Sequence, residues 1–415
     1  MAEPSSSPGS VRPRWPLILA AWGVGVIAAA HIGKVPPAIP ALREGLDLDL
    51  ITAGWVVAMI GSTGLALGMV AGLLVDRIGA RRMVLAGLGL MAAGSLAGAA
   101  ATGGATLLAS RFLEGVGFVC AVVGVPPILT DAAGPARRRF VLGLWGTFMP
   151  TGIAAMMLLA PAAIAASGWR GAWLLLGAVT LLWTAVIGTI LARGGTGPGF
   201  LAGHGSRVSI IDNIRRTLTV PGPWLLALGF CVYTLAWMAL MAWLPTFLVD
   251  ERGLGVASAS ALTVAVVLVN VPGNMLGAWL LQAGARRWAM LAAAGVVIAA
   301  TGPLAFLDLL PDAGRYAACL VFSFLAGMVP SAVFAGTTVF APSERQIGTV
   351  NGLLVQGSHL GQFAGPPILA AAVTLSGGWS AGGWILVACG AALMALGVMV
   401  GIAEARLRPR SESPA

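Results

Sequence analysis

Apolar runs recur along this chain near residues 15–40, 51–75, 83–102, 106–131, 140–163, 171–192, 223–249, 258–282, 288–308, 315–340, 348–373 and 380–403, separated by short polar interruptions. Each is about 20 residues or longer, enough for a helix to cross the roughly 30 Å hydrocarbon layer of a membrane. Lipid offers no partner to a free N–H or C=O, so such runs are predicted as helices that satisfy their own backbones. The pattern predicts an all-α polytopic membrane protein with twelve crossings. It changes character at 193–222, where Gly194, Gly195, Gly197, Pro198, Gly199, Gly203 and Gly205 precede Arg207, Asp212, Arg215 and Arg216. This segment is predicted to be a flexible cytoplasmic linker between two six-helix bundles, 15–192 and 223–403. Residues 1–14 and 404–415 are polar tails. Other connections are short, so neighbouring helices are expected to run antiparallel.

The two halves carry traces of one another. Residues 72–82 read Gly-Leu-Leu-Val-Asp-Arg-Ile-Gly-Ala-Arg-Arg, and residues 277–287 read Gly-Ala-Trp-Leu-Leu-Gln-Ala-Gly-Ala-Arg-Arg, 205 positions later. Gly68 finds Gly273 and Pro40 finds Pro245 at the same offset. A unit of half the chain used twice is the signature of a repeated membrane bundle. The first run has a basic, Ser/Pro-rich lead that imitates a cleavable signal, but the Pro40/Pro245 match makes it part of the repeat.

Composition agrees with lipid surroundings: 58% of residues are hydrophobic and only 9% charged, far less charge than a water-soluble protein carries. The net charge of +9 reports topology. With both termini cytoplasmic, that side holds Arg12, Arg14, Arg77, Arg81, Arg82, Arg137, Arg138, Arg139, Arg193, Arg207, Arg215, Arg216, Arg286, Arg287, Arg345, Arg406, Arg408 and Arg410, which is 18 of the 24 basic residues. Lys34, Arg43, Arg111, Arg170, Arg252 and Arg315 fall elsewhere. This split obeys the positive-inside rule and gives no reason to invoke nucleic acid. The cysteines, Cys120, Cys231, Cys319 and Cys389, lie inside predicted spans without metal or disulfide spacing and read as small apolar fillers.

Ionisable residues at membrane depth are costly and mark function by default. Lys34, the single lysine, follows His31 by three positions, so both share a face of the first helix. A cation facing a cavity there attracts a small anion; the alternative is a lysine snorkelling to the outer interface beside Pro36-Pro37. Arg111 and Glu114 are also three apart. Either they form a permanent ion pair, or substrate competes for the arginine and Glu114 takes up a proton. Gln356, Ser358, His359 and Gln362 interrupt the eleventh run, Tyr233, Trp237 and Trp243 lie in the seventh, and Asn270 and Asn274 in the eighth. These suit a mostly apolar pocket with few polar contacts, with Trp243 alternatively a residue of the interfacial aromatic belt.

Residues 72–82 resemble the signature between the second and third helices of the major facilitator superfamily, with Gly72, Asp76, Arg77, Gly79, Arg81 and Arg82 in the signature positions and Ala80 where the family often has a basic residue. Arg111, Gly115 and Gly117 are similar to the family's fourth-helix pattern, and Asp131 stands at that helix's cytoplasmic end. The resemblance implies two pseudo-symmetric six-helix bundles, a central substrate site and alternating access. Gly72, Asp76, Arg77, Gly79, Arg81, Arg82 and Asp131 would form a cytoplasmic gate. There Asp76 meets the positive end of a helix starting near Gly348, and one of the arginines pairs with Asp131. Leu281 and Gln282 replace the Asp and Arg in the second copy, so no symmetrical latch is expected. Gly33-Lys34-Val35-Pro36-Pro37, the run Trp243 to Leu248 and the run Asn351 to Pro367 resemble the cyanate and nitroimidazole transporter branch.

No phosphate loop, metal-ligand spacing or paired nucleophile and base is present, so no enzyme, no cofactor and no ATP-driven pump is expected. The sequence predicts a monomeric secondary transporter in the cytoplasmic membrane, in contact with lipids, taking up a small organic or inorganic anion with protons. Lys34, His31, Tyr233, Trp237, Asn270, Asn274, Gln356, His359 and Gln362 are the substrate-binding candidates, and Glu114 with Arg111 the proton-coupling pair. Proton-driven export of a small apolar compound is one alternative, and a non-transporting scaffold or sensor another.

Overall fold

The computed structural model describes residues 13–193, 210–343 and 346–407, and among them every regular element is an α-helix. The first crossing is built from α1 (Trp15–Gly33) and α2 (Val35–Leu46), divided at Lys34. Pro36 and Pro37 cannot donate to the preceding turn, yet both suit the first turn of a new helix. α3 (Leu50–Ile78) and α4 (Ala80–Ala99) follow. α5 (Gly104–Trp145) and α6 (Phe148–Arg193) are longer than one crossing, but Gly134 (φ 65°) and Gly168 (φ 69°) break them. The fourth, fifth and sixth apolar runs therefore become separate crossings.

The second half begins with the short α7 (Ile210–Leu218) and continues with α8 (Pro221–Arg252), α9 (Val256–Gln282) and α10 (Arg287–Phe306). The tenth apolar run is α11 (Asp312–Ala326) plus α12 (Met328–Phe340), and α13 (Ile347–Ser376) and α14 (Ser380–Leu407) complete the bundle. Among the described residues, nine segments are long and apolar enough to cross a membrane. One of them, Phe140–Arg193, holds two crossings; with α3 and α13 all twelve runs are helical. An even number of crossings leaves both termini at one end of the bundle. Part of the expected flexible linker is folded, because Ile210–Leu218 is helical and packs on α8 and α13; residues 194–209 lie outside the described residues.

Internal symmetry is visible in the backbone. Gly79, between α3 and α4, has φ 89°, and Gly284, between α9 and α10, has φ 90°. L side chains avoid this region, which explains why both copies of the repeated turn keep glycine at the same offset. Pro40 in α2 and Pro245 in α8 each lie inside the C-terminal part of a half's first crossing. The packing repeats as well. α1 on α6 has its twin in α8 on α13, α3 on α5 in α9 on α11, and α4 on α6 in α10 on α14. Between the halves, α3 packs on α13 and α6 on α9, which is again one pairing and its twin.

Candidate functional site

Four helices of the N-terminal half and the break between α1 and α2 place their polar side chains in a single closed cluster. His31 from α1, Lys34 at the α1–α2 break, Ser95 from α4, Arg111 and Glu114 from α5 and Thr180 from α6 are all 0% exposed. The helical break at Lys34 turns its chain inward. Its Nζ donates to Glu114 Oε1 at 2.6 Å and to Ser95 Oγ at 2.9 Å, and lies 4.5 Å from the Trp173 ring centre. Arg111 donates through Nη1 to the other carboxylate oxygen of Glu114 and to the His31 carbonyl, and through Nε to the Val56 carbonyl. Its Nη2 is buried with no hydrogen-bond partner among the described residues. Lys34 thus does not snorkel: a carboxylate, a hydroxyl and an indole face together hold an ammonium better than the interface would.

The sequence places Lys34 with His31 and Arg111 with Glu114 by helical spacing. The structure joins the two pairs, 80 residues apart, into one network. Ser95, Thr180 and Trp173 were not legible as members. A serine or threonine inside an apolar run bonds its own helix as a rule, and only packing shows where its second lone pair points.

The C-terminal half brings together fewer charges. Asn270 donates to the Ser323 carbonyl at 2.8 Å and to Tyr233 Oη at 3.2 Å, and Trp237 Nε1 donates to Ser323 Oγ at 3.2 Å. Asn274 is separate and receives the Ser331 hydroxyl at 2.7 Å. Gln362 donates to Ser358 Oγ within α13. Trp243 is fully buried and donates to the Pro366 carbonyl at 2.9 Å, which overturns the belt reading: the indole is packed between helices with its N–H satisfied inside the bundle.

Two candidates lie between the halves instead. Gln356 on α13 donates to the Leu65 carbonyl of α3 at 3.2 Å, and the His359 ring packs over Gly64. A Cβ on Gly64 would come within 2.5 Å of that ring. Trp55 and Phe363 continue the contact, with ring centres 5.1 Å apart. Gln356 and His359 meet the middle of α3, and Gly54 near the start of α3 faces Pro366 and Pro367 further along α13. The contact therefore runs from the middle of the bundle towards the end where α3 begins and α13 finishes.

Of the gate candidates, the surroundings of Gly72 and Asp76 lie outside the described residues. Arg77, Arg81 and Arg82 are exposed. Asp131 is paired with Arg14, where the sequence had suggested Arg77, Arg81 or Arg82. The reason is local: the Arg14 N–H donates to the Ala132 carbonyl at 2.9 Å, which fixes the entry to α1 beside the end of the α5 crossing.

Comparison with known proteins places this geometry in context. A sequence model described as Major Facilitator Superfamily matches residues 20–366. The "Probable nitrate/nitrite transporter NarK2" of Mycobacterium tuberculosis is 26% identical over 366 residues, covering 86% of this chain and 88% of that protein. The 3-(3-hydroxy-phenyl)propionate transporter of Escherichia coli is 26% identical over 345 residues, covering 81% of each. A crystal structure of a bacterial homologue of the human lysosomal transporter Spinster, inward-facing and unoccupied, superposes with a TM-score of 0.73 at 17% identity, covering 97% of both chains. That likeness shows a shared fold.

Proposed function

The chain belongs to the major facilitator superfamily, a family of membrane transporters and not of enzymes, and on that premise we propose that it is a secondary transporter for a small anion, taken up together with protons by alternating access. One observation carries the anion. Two basic side chains, Lys34 and Arg111, share a single carboxylate in a fully buried cluster, and Arg111 Nη2 has no partner there. A net positive charge in low dielectric with an unfilled donor is strongly favourable for an anion, and a guanidinium suits nitrate-like or carboxylate oxygens. Two relatives carry nitrate/nitrite and an aromatic propionate in their names, which supports the same class.

In this reading the anion is bound between the halves, next to the N-terminal cluster, with Tyr233, Trp237 and Asn270 contributing the polar and aromatic wall of the other half. Rocking of the halves opens the α3–α13 contact, where Gln356 and His359 lie, and closes the opposite end around Asp76 and the Arg77–Arg82 turn. The arginine distribution supports cytoplasmic termini. On that reading the α3–α13 contact faces the outside of the cell membrane.

The test is a thermal-shift screen of the purified protein with nitrate, cyanate, 3-phenylpropionate and hydrophobic organic cations, followed by uptake into proteoliposomes. Ligands that bind the folded state raise its apparent stability by mass action. Stabilisation by at least one anion, lost in Arg111→Gln, is the expected result. Stabilisation by cationic or uncharged compounds alone would overturn the anion assignment. Uptake indifferent to an imposed pH gradient would overturn proton coupling.

A further inference from the structure

The hydroxyl groups around the buried cluster fix where its hydrogens are. Thr180 Oγ1 donates its only hydrogen to the Leu176 carbonyl at 2.7 Å. Towards His31 Nε2, 2.9 Å away, it can therefore only accept, so Nε2 carries the hydrogen. Ser95 Oγ likewise gives its hydrogen to the Trp173 carbonyl at 2.8 Å and accepts from Lys34. Neutral His31 is thereby held with a bare Nδ1. That nitrogen lies 3.4 Å from Glu114 Oε1 and 3.5 Å from Lys34 Nζ.

Glu114 is the poorer proton acceptor. Oε1 faces Lys34 and Oε2 faces Arg111, so a proton on the carboxyl would remove the one negative charge that both cations share, whereas a proton on Nδ1 leaves it in place. The lone pair of His31 Nδ1 meets only the Lys34 ammonium, at 3.5 Å, and lies beside the Glu114 carboxylate at 3.4 Å. The groups around it are Lys34 where α1 meets α2, Arg111 and Glu114 from α5, and the uncharged Ser95 and Thr180 from α4 and α6.

We propose that His31 Nδ1 is the proton-binding position of this transporter, and that the protonated ring and the Lys34 ammonium exchange places on Glu114 Oε1. Nδ1 gains the proton and becomes a donor to that oxygen. The released ammonium turns, with Arg111 Nη2, to the transported anion. A third cation beside one carboxylate is tolerable only when the anion is present to offset it, so anion and proton are bound together and released together. The inference rests on the reading of proton-coupled anion uptake and adds to it the residue and the atom. It moves the proton from Glu114 to its neighbour, because the carboxylate charge is what holds both cations.

The experiment is an NMR titration of the full-length protein in lipid nanodiscs with 15N-labelled imidazoles. The chain has three histidines, His31, His204 and His359, and His31→Gln assigns the relevant signal. At neutral pH the His31 hydrogen should be on Nε2, and acidification should protonate Nδ1. At a fixed acidic pH the protonated fraction should rise in Lys34→Met and fall in Glu114→Gln, each corresponding to about tenfold or more in proton affinity, since a neighbouring charge acts on this scale. A hydrogen on Nδ1 at neutral pH would overturn the proposal. So would an Nδ1 that remains bare wherever the protein is folded, or a Lys34→Met protein that titrates like wild type. The wild-type measurement alone suffices if a variant fails to fold. The underlying reading fails separately: nitrate uptake that ignores a pH gradient refutes coupling, whereas the titration refutes the atom.

Discussion

Replacing Glu114 by glutamine removes one charge and almost no volume, yet it should be among the most damaging single changes in the N-terminal half. Glu114 is fully buried, 2.6 Å from Lys34 Nζ and ion-paired with Arg111 through its second oxygen. Its amide analogue leaves two buried cations facing each other with no carboxylate between them. Removing one partner of a buried pair costs about 3–5 kcal/mol, largely because the other charge is stranded. Lys34→Met is the informative contrast. It deletes an ammonium but leaves the Arg111–Glu114 pair intact, so its cost should be about 1–2 kcal/mol, from the lost hydrogen bonds and the Trp173 contact.

Scanning fluorimetry in detergent measures the difference without any knowledge of the substrate. At about 2–4 °C per kcal/mol for a unit the size of one bundle, Glu114→Gln should melt roughly 6–20 °C below wild type and Lys34→Met well under half as far below. The double variant removes one of the two stranded cations, so it should be more stable than the sum of the single losses predicts. A Glu114→Gln protein no less stable than Lys34→Met, or strictly additive losses, would refute the shared-carboxylate description of the cluster.

At the contact between the halves, Gly64→Ala would push a Cβ to within 2.5 Å of the His359 ring. Overpacking of about 1–3 kcal/mol should loosen the α3–α13 contact, and a cysteine introduced as Trp55→Cys should then react faster with a membrane-impermeant thiol reagent; unchanged labelling counts against this contact being the one that opens. At the turn between α3 and α4, Gly79→Ala forces an L side chain to φ 89° and should cost about 1–2 kcal/mol, whereas helical Gly89, with nothing within 4 Å of a new Cβ, should accept alanine with no loss of melting temperature. At the start of α3, the Asp49 carboxylate accepts the Thr52 N–H at 2.6 Å, which holds its pKa below the ordinary value. A depressed carboxylate stabilises the fold fully above its unfolded pKa, so the contribution should be complete above about pH 4–5 and fade at lower pH; melting curves of Asp49→Asn should lack this acid-side loss, and an identical pH profile would refute it.

What the sequence by itself determined is the set of crossings and their duplication. Helix formation in lipid depends on local composition, and a strained turn such as Gly79 or Gly284 demands glycine whatever surrounds it, so both survive as readable marks. Helical spacing also made the pairs His31–Lys34 and Arg111–Glu114 legible, since neighbours on one helix need no tertiary information. Only the tertiary structure decided that these pairs meet. It also showed that Ser95 and Thr180 join the cluster, that Asp131 pairs with Arg14, and that His359 packs on Gly64 of the other half. Each of those facts joins residues on different helices. The packing that joins them comes from small residues and shape, and an apolar run looks alike on every side until a neighbour covers one of its faces.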